Sequence, residues 1–377
     1  MVTYPRHPQF PQAGNLVYFN HAAVAPWTRV TAEAVKAFAQ ENLELGAKLY
    51  PKWMQTEQDL RTALQQLIHA ESTDDIALLK NTSEGLSVIA YGLEWHAGDN
   101  IVIPAGEFPS NRIVWQSLQQ YGVETREVDI LNTENPEAAL ITAMDERTRL
   151  LSVSAVQYSN GQCLDLITLG YYCRQHEILY VVDAIQHIGA LVFDVQAIGA
   201  DFAVADGHKW MLGPEGLALF YARPEARDLL HLKQYGWHIL ENMGDFTQKT
   251  IHITQSARRF ECGSPNMLGI HALLASITWI LEEGIANIQR NVLKNAQLII
   301  DYINNSDKYT LLGRHDTTAR SGIVTFRHHS LSDMDAYKTL MGQGLVCAAR
   351  GGGVRFSPHY YHQDWEFERA FELLDSL

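Results

Sequence analysis

The sequence predicts an α/β protein: a large domain built on a mostly parallel sheet with helices on both faces, then a smaller C-terminal α+β domain. Three observations predict it. Short apolar runs recur at Ile76–Leu79, Ile101–Pro104, Leu150–Val156, Leu179–Asp183, Phe202–Ala205 and Leu217–Tyr221. Most are β-branched or aromatic and bounded by turn residues, as fully buried strands are. Helical spacing lies between many of them, as at Leu166–His176 before Leu179, and such alternation builds parallel sheets. After about residue 255 the texture changes to two long helical stretches followed by shorter strand-like pieces.

In chain order, Val30–Leu49 and Glu57–His69 carry apolar residues at helical spacing, and Asn81–Gly92 reads as a turn opening a helix. The strand runs follow. Beyond them come helices at Asn266–Glu283 and Ala286–Asn304, strand-like pieces at Gly322–Phe326, Leu345–Ala348 and Val354–Phe356, and a last helix at Trp365–Leu374. The large domain is placed at 15–260. The small one is placed at 261–377, together with the N-terminal segment 1–14. No Pro/Gly/Ser linker marks the join.

Composition narrows the function. The chain is 46% hydrophobic and 19% charged, enough to bury a core without staples. Its 43 acidic and 29 basic residues give a net charge of −14, a field that repels a phosphate backbone, so no nucleic-acid partner is expected. The four cysteines, at 163, 173, 262 and 347, form no CxxC pair and point to a reducing, cytoplasmic setting. The first residues hold three prolines and no apolar core, unlike a signal peptide. The apolar stretch Ala272–Leu281 is about half a membrane span, so no membrane partner is expected either.

Ligands of an open parallel sheet gather at the carboxyl ends of its strands. Three such ends carry chemistry. Asp183 closes Leu179–Asp183, where a carboxylate at the edge of a buried strand needs a partner; a helix N-cap is the plainer reading. Lys209 follows Phe202–Ala205 by a tight turn, between His208 and Trp210. A desolvated lysine there is a nucleophile, and a surface or acid-paired lysine is the alternative. Asn81-Thr82-Ser83-Glu84-Gly85 opens a helix with hydroxyls and N–H groups that suit an anion, or is an ordinary cap. Together, a phosphate cradle, an acid and an amine match the needs of pyridoxal phosphate. The amine forms a Schiff base with the cofactor aldehyde, and the acid keeps the pyridine nitrogen protonated.

Here the sequence resembles the class V aminotransferase family of pyridoxal-phosphate enzymes of fold type I, with cysteine desulfurases and isopenicillin N epimerase-like proteins among its members. The resemblance runs through Tyr18-Phe19-Asn20-His21-Ala22-Ala23, residues 81–85, Glu107-Phe108, residues 182–191, 206–221 and 259–266, and ends at 354–366. It implies a mostly parallel seven-stranded sheet in the large domain. It also implies Lys209 as the Schiff-base lysine, Asp183 as the pyridinium partner, Gln186 near the phenolic oxygen, and Thr82, Ser83 and His208 at the phosphate. Gly263 and Ser264 are implied to reach the phosphate of a neighbouring subunit, hence a homodimer. Arg355 is implied to grip the substrate α-carboxylate, a task for a planar guanidinium.

Departures from the family limit the carry-over. The ring stacked on the cofactor is Phe108, where desulfurases hold a proton-handling histidine. Cys347 follows two apolar residues in a shortened loop and reads as a buried strand residue, so cysteine desulfurase activity is disfavoured. Ala155 stands where an asparagine is common, with Gln157 as a substitute amide. Asp206 stands where desulfurases carry a phosphate-binding serine; it repels the phosphate unless it points away or pairs with His208. His359 and His362 lack further ligands for a metal, and none is expected. Gly351-Gly352-Gly353 precedes a strand and reads as a substrate-facing turn. The expected function is a class V aminotransferase acting on an amino acid or amine. The alternative is an epimerase or a C–S or C–C lyase on the same scaffold. A non-catalytic cofactor-binding relative is disfavoured by the presence of both Lys209 and Asp183.

Overall fold

The computed structural model describes residues 5–247, 249–314, 316 and 319–377. Residues 1–4 of the segment grouped with the small domain lie outside these. After the short β1 (Val17–Tyr18), seven strands form one sheet: β2 (Ile76–Leu79), β3 (Asn100–Pro104), β4 (Glu124–Val128), β5 (Thr148–Ser154), β6 (Leu179–Asp183), β7 (Phe202–Asp206) and β8 (Ala218–Ala222). They lie in the order β2-β8-β7-β6-β5-β3-β4. Within this sheet β8 runs antiparallel to β2 and β7, and the remaining pairs are parallel. The α/β class read from the apolar runs is therefore the observed one.

Two apolar layers sandwich the sheet. One holds Leu60, Leu64, Leu169 and Ile277. The other holds Leu86, Ile89, Trp115 and Phe220. Fully buried strands such as β7 explain why the runs are continuous rather than alternating. β4 was not visible in the sequence. As an edge strand reading Glu-Thr-Arg-Glu-Val, it is exposed or half-buried throughout and carries no apolar run.

The second sheet contains β9 (Tyr309–Leu312), β10 (Val324–His328), β12 (Ala348–Arg350) and β13 (Gly353–Phe356), in the antiparallel order β12-β13-β10-β9. The expected strand Leu345–Ala348 is divided. Leu345–Val346 (β11) pairs in parallel with β1, while Ala348 begins β12. Val17 and Phe19 join the core of this second unit, with Ile299, Phe326 and Phe356. The Met267–Glu283 helix instead packs against the Arg29–Leu45 and Tyr50–Ile68 helices. The changeover falls within the Ile285–Asn304 helix, whose Val292 lies in the first core and Ala296 in the other. Among the described residues no single helix is long and apolar enough to cross a membrane.

The turn that carries Lys209 is tightly enclosed. Leu212 is fully buried with φ +59°, a left-handed conformation costly for a non-glycine residue. Its carbonyl accepts from Ser276 Oγ at 3.1 Å. Gly189 has φ +95°, and a β-carbon there would stand 2.4 Å from the Trp210 carbonyl oxygen. Gly189→Ala is expected to lower stability by about 3 kcal/mol or more, seen as a lower urea midpoint. An unchanged midpoint contradicts this packing.

Candidate active site

The strand register builds the site. Ser154 at the end of β5, Asp183 at the end of β6 and Val204 in β7 are neighbours across the sheet. Chain then leaves β7 through Gly207-His208-Lys209, with Gly207 N–H bonded to the Leu217 carbonyl at 2.9 Å. Above these ends lies a cavity of about 290 Å³. Thr82, Ser83, Phe108, Asp183, Gln186, His208, Lys209 and Arg355, widely separated in sequence, all line it.

Asp183 is buried, and burial pushes its carboxyl up to about 7, with nearby Glu107 adding to the rise. Its Oδ1 accepts the Ile185 N–H at 3.1 Å. Burial also pushes the Lys209 amine down to about 8, against the pull of Asp183. The two feel each other's charge, yet no direct ion pair within 4.0 Å joins them. Phe108 covers this centre, its ring centroid 5.7 Å from Lys209 Nζ.

Arg355 lies in β13, between β12 and β10. It is 2% exposed. Its Nη1 donates to the Tyr158 carbonyl at 2.6 Å, while its buried Nε has no partner. Burial, with Arg350 nearby, brings its guanidinium down to about 10. A buried cation without a carboxylate partner is an anion site in waiting.

The anion end is built from the Thr82–Gly92 helix, capped by Asn81 Oδ1, which accepts the Glu84 N–H at 2.9 Å. First-turn N–H groups of a helix have no intrahelical acceptor, and Thr82 and Ser83 supply them here. Asp206 stands beside this end. Its Oδ1 is 2.9 Å from His208 Nδ1, an ion-pair contact rather than an aligned hydrogen bond. Of the two arrangements that spare a phosphate from repulsion, the structure therefore takes the pairing with His208.

Other expectations change. Gln186 faces the cavity, but its Nε2 donates to the Ala22 carbonyl and its Oε1 accepts from Trp210 Nε1, both at 2.9 Å. That amide braces the turn behind Lys209. Gln157 does not supply a free amide. Its Nε2 donates to Glu107 Oε1 at 3.1 Å, on a buried carboxylate that also binds Ser154 N–H at 2.7 Å. Gly263 and Ser264 do not reach this cavity within the chain. They line a separate one of about 250 Å³ near Lys80, Glu84 and Cys262. Cys347 is buried, its thiol pushed up to about 12 by burial, and Cys163 and Cys173 share that shift. None of the four cysteines lines the cavity.

His359 and His362 are buried and bonded to carbonyls, His359 Nε2 to Trp210 at 3.3 Å and His362 Nε2 to Tyr18 at 2.8 Å. They pack the domains together. A different buried group, Glu57, His238 and Glu261, has metal-ligand spacing. Arg61 already supplies its cation, with Nη2 2.5 Å from Glu57 and Nη1 2.6 Å from Glu261. Sequence reasoning missed Ser110, whose Oγ meets Ser83 Oγ at 2.7 Å, and the cavity residues Tyr158 and Arg350. Ser110 opens the short Ser110–Gln116 helix, while Tyr158 and Arg350 arrive from a loop and a strand end, and no local pattern marks any of them.

These features define a pyridoxal-phosphate enzyme of fold type I. A buried amine, a buried acid sensing it, a hydroxyl-bearing helix start and enclosed space fit that cofactor. The chain belongs to the aminotransferase class-V family, whose model matches residues 17–365. It is 30% identical over 96% of its length, and 94% of the relative's, to a probable cysteine desulfurase of Methanothermobacter thermautotrophicus. Among solved structures it is similar to a cysteine desulfurase of Thermococcus onnurineus, with a TM-score of 0.86, 23% identity and coverage of 96% and 94%. It is also similar to the cystine C–S lyase C-DES in complex with its product cysteine persulfide, with a TM-score of 0.91, 23% identity and coverage of 97% and 99%.

The relatives correct the expected function. Transamination was the main reading, an epimerase or a C–S or C–C lyase the alternative, and cysteine desulfurase was disfavoured. These relatives are named as cysteine desulfurases and a C–S lyase, which overturns the main reading and favours the C–S alternative. The error was to tie sulfur chemistry to a chain cysteine. Breaking a C–S bond requires an electron pair at the substrate α-carbon and a leaving group one carbon away, both of which the substrate provides.

The buried charges have a consequence for stability. Asp183's folded carboxyl is raised from 3.8 to about 7. Its contribution to stability is thus present below pH 3.8 and is lost as pH rises through 7. Asp183→Asn is expected to raise the melting temperature of cofactor-free protein at pH 8, with a smaller gain at pH 4.5. A loss at pH 8 contradicts the desolvated acid.

Proposed function

We propose that this chain is a pyridoxal-phosphate-dependent C–S lyase acting on an amino acid with sulfur on its β-carbon. The observation that carries the proposal is the pairing of a buried free amine, Lys209, with a buried unpaired guanidinium, Arg355, in one cavity. The sulfur chemistry named in its relatives supplies the reaction class.

When bound, the cofactor supplies a carbonyl carbon for amines and a ring that accepts an electron pair from the substrate α-carbon. The chain does the rest. Thr82, Ser83 and His208 would bind the phosphate end, and Asp183 would keep the ring nitrogen protonated. Phe108 would cover the ring. Arg355 binds the substrate carboxylate and so orients the α-carbon–hydrogen bond toward Lys209. Lys209, with its amine pushed down to about 8, is partly unprotonated near neutral pH and takes that proton. Phe108 has none to offer. No cysteine lines the cavity, so the cleavage proposed here uses none of this chain's thiols.

A homodimer, in which Gly263 and Ser264 serve the neighbour's phosphate, remains part of the proposal. So do the cytoplasmic setting and a two-domain division, with the changeover in the Ile285–Asn304 helix rather than near residue 260.

Purified protein with cofactor is expected to be coloured, and borohydride is expected to fix the cofactor on Lys209, read by peptide mass. With S-substituted cysteines it is expected to release pyruvate, ammonia and a thiol in equal amounts. Arg355→Lys is expected to lower kcat/KM about 100-fold, because the planar two-point grip is lost. Steady accumulation of the amino form of the cofactor, without pyruvate, contradicts the proposal.

A further inference from the structure

We propose that the Tyr158 phenol is the acid that protonates the departing sulfur. The inference rests on the C–S cleavage reading above. Breaking the bond leaves its electron pair on sulfur, and an alkyl thiolate departs readily only if a proton reaches it. The other ionisable groups lining the cavity are otherwise engaged. Lys209 takes the α-proton, and Asp183 serves the ring nitrogen. His208 faces Asp206 at the phosphate end. Arg355 is committed to the substrate carboxylate, and Arg350 stands beside it on the same wall of the cavity. Phe108 carries no exchangeable proton.

Tyr158 lines the same cavity, and among the described residues no hydrogen bond engages its hydroxyl. Its ring stands edge-on to Phe108, with centroids 5.2 Å apart at 84°. Phe108 in turn covers Lys209. The backbone of Tyr158 is tied to the carboxylate site, since its carbonyl accepts from Arg355 Nη1 at 2.6 Å. One residue thus touches both the covering ring and the group that fixes the substrate.

The loop that holds it is clamped. Gln157 N–H donates to the Gln162 carbonyl at 2.9 Å, and Gly161 N–H to the Gln157 carbonyl at 2.8 Å. Thr325 Oγ1, from the second sheet, donates to the Ser159 carbonyl at 2.8 Å. A β-carbon at Gly351 would stand 2.4 Å from that same oxygen. A group held this firmly from two sheets is placed well enough for proton transfer.

The step balances. Lys209 removes the α-proton as an ammonium, and the electron pair left behind forms the new C–C double bond. The C–S bond breaks with its pair on sulfur, and the Tyr158 O–H proton joins it, so a neutral thiol leaves. The phenolate regains a proton from water, and Lys209 returns its own to water.

The test compares holoenzyme and Tyr158→Phe on S-ethylcysteine, whose leaving group needs a proton, and on β-chloroalanine, whose chloride does not. The variant removes only a hydroxyl that no hydrogen bond engages among the described residues, and the cofactor's absorption band reports that the site is intact. The thioether rate is expected to fall about 100-fold while the chloride rate falls less than about threefold. Equal losses on both substrates, or none on either, overturn the assignment. Wild type that eliminates chloride but cleaves no thioether overturns the C–S reading itself and this role with it.

Discussion

The structure turns on charge buried without partners. Asp183, Lys209 and Arg355 are each more than nine-tenths enclosed, and no direct ion pair neutralises them. Taking an ion out of water costs several kcal/mol unless other charges compensate. The fold tolerates this because strands on either side hold each group. β6 ends in Asp183, the turn after β7 carries Lys209, and β13 holds Arg355 at the centre of the second sheet. On the proposed function, the cofactor ring and the substrate carboxylate would restore the stability lost there when they bind, and this would link folding to function.

Much of this was legible. An acid that ends a run of apolar residues, and a lysine just beyond another run, interrupt local patterns that are otherwise uniform. The strands they close are buried on both faces, so their runs stand out. The edge strand β4 left no such trace, because its residues are all exposed or half-buried. Tyr158, Ser110 and Arg350 were not legible as site residues. They reach the cavity through the crossing of the two sheets and the meeting of two helix starts, neither of which has a sequence period. Gln157 shows the converse. Its position suggested a free amide, yet the buried Glu107 carboxylate beside it claims the donor.

Reaction type was the least legible property. The site residues specify how a proton leaves the α-carbon, and many reactions share that step. Two local substitutions narrow the outcome. With Phe108 in place of a histidine, the covering ring has lost its acid–base function, and the proton that sulfur needs must come from elsewhere in the wall. Cys347 is buried in the small-domain core and does not face the cavity. Both changes fit a cavity in which the leaving fragment takes the sulfur away. The Asp206–His208 pair shows the same economy at the other end, where an acid that would repel a phosphate is turned onto its neighbour.

The most direct measurement is turnover by a variant in which Cys163, Cys173, Cys262 and Cys347 are all replaced by alanine or serine. Holoenzyme of this variant, with its cofactor absorption intact, is expected to release thiol and pyruvate from S-substituted cysteines at close to the wild-type rate. Loss of that release while the cofactor stays bound would place a cysteine in the reaction and contradict the account.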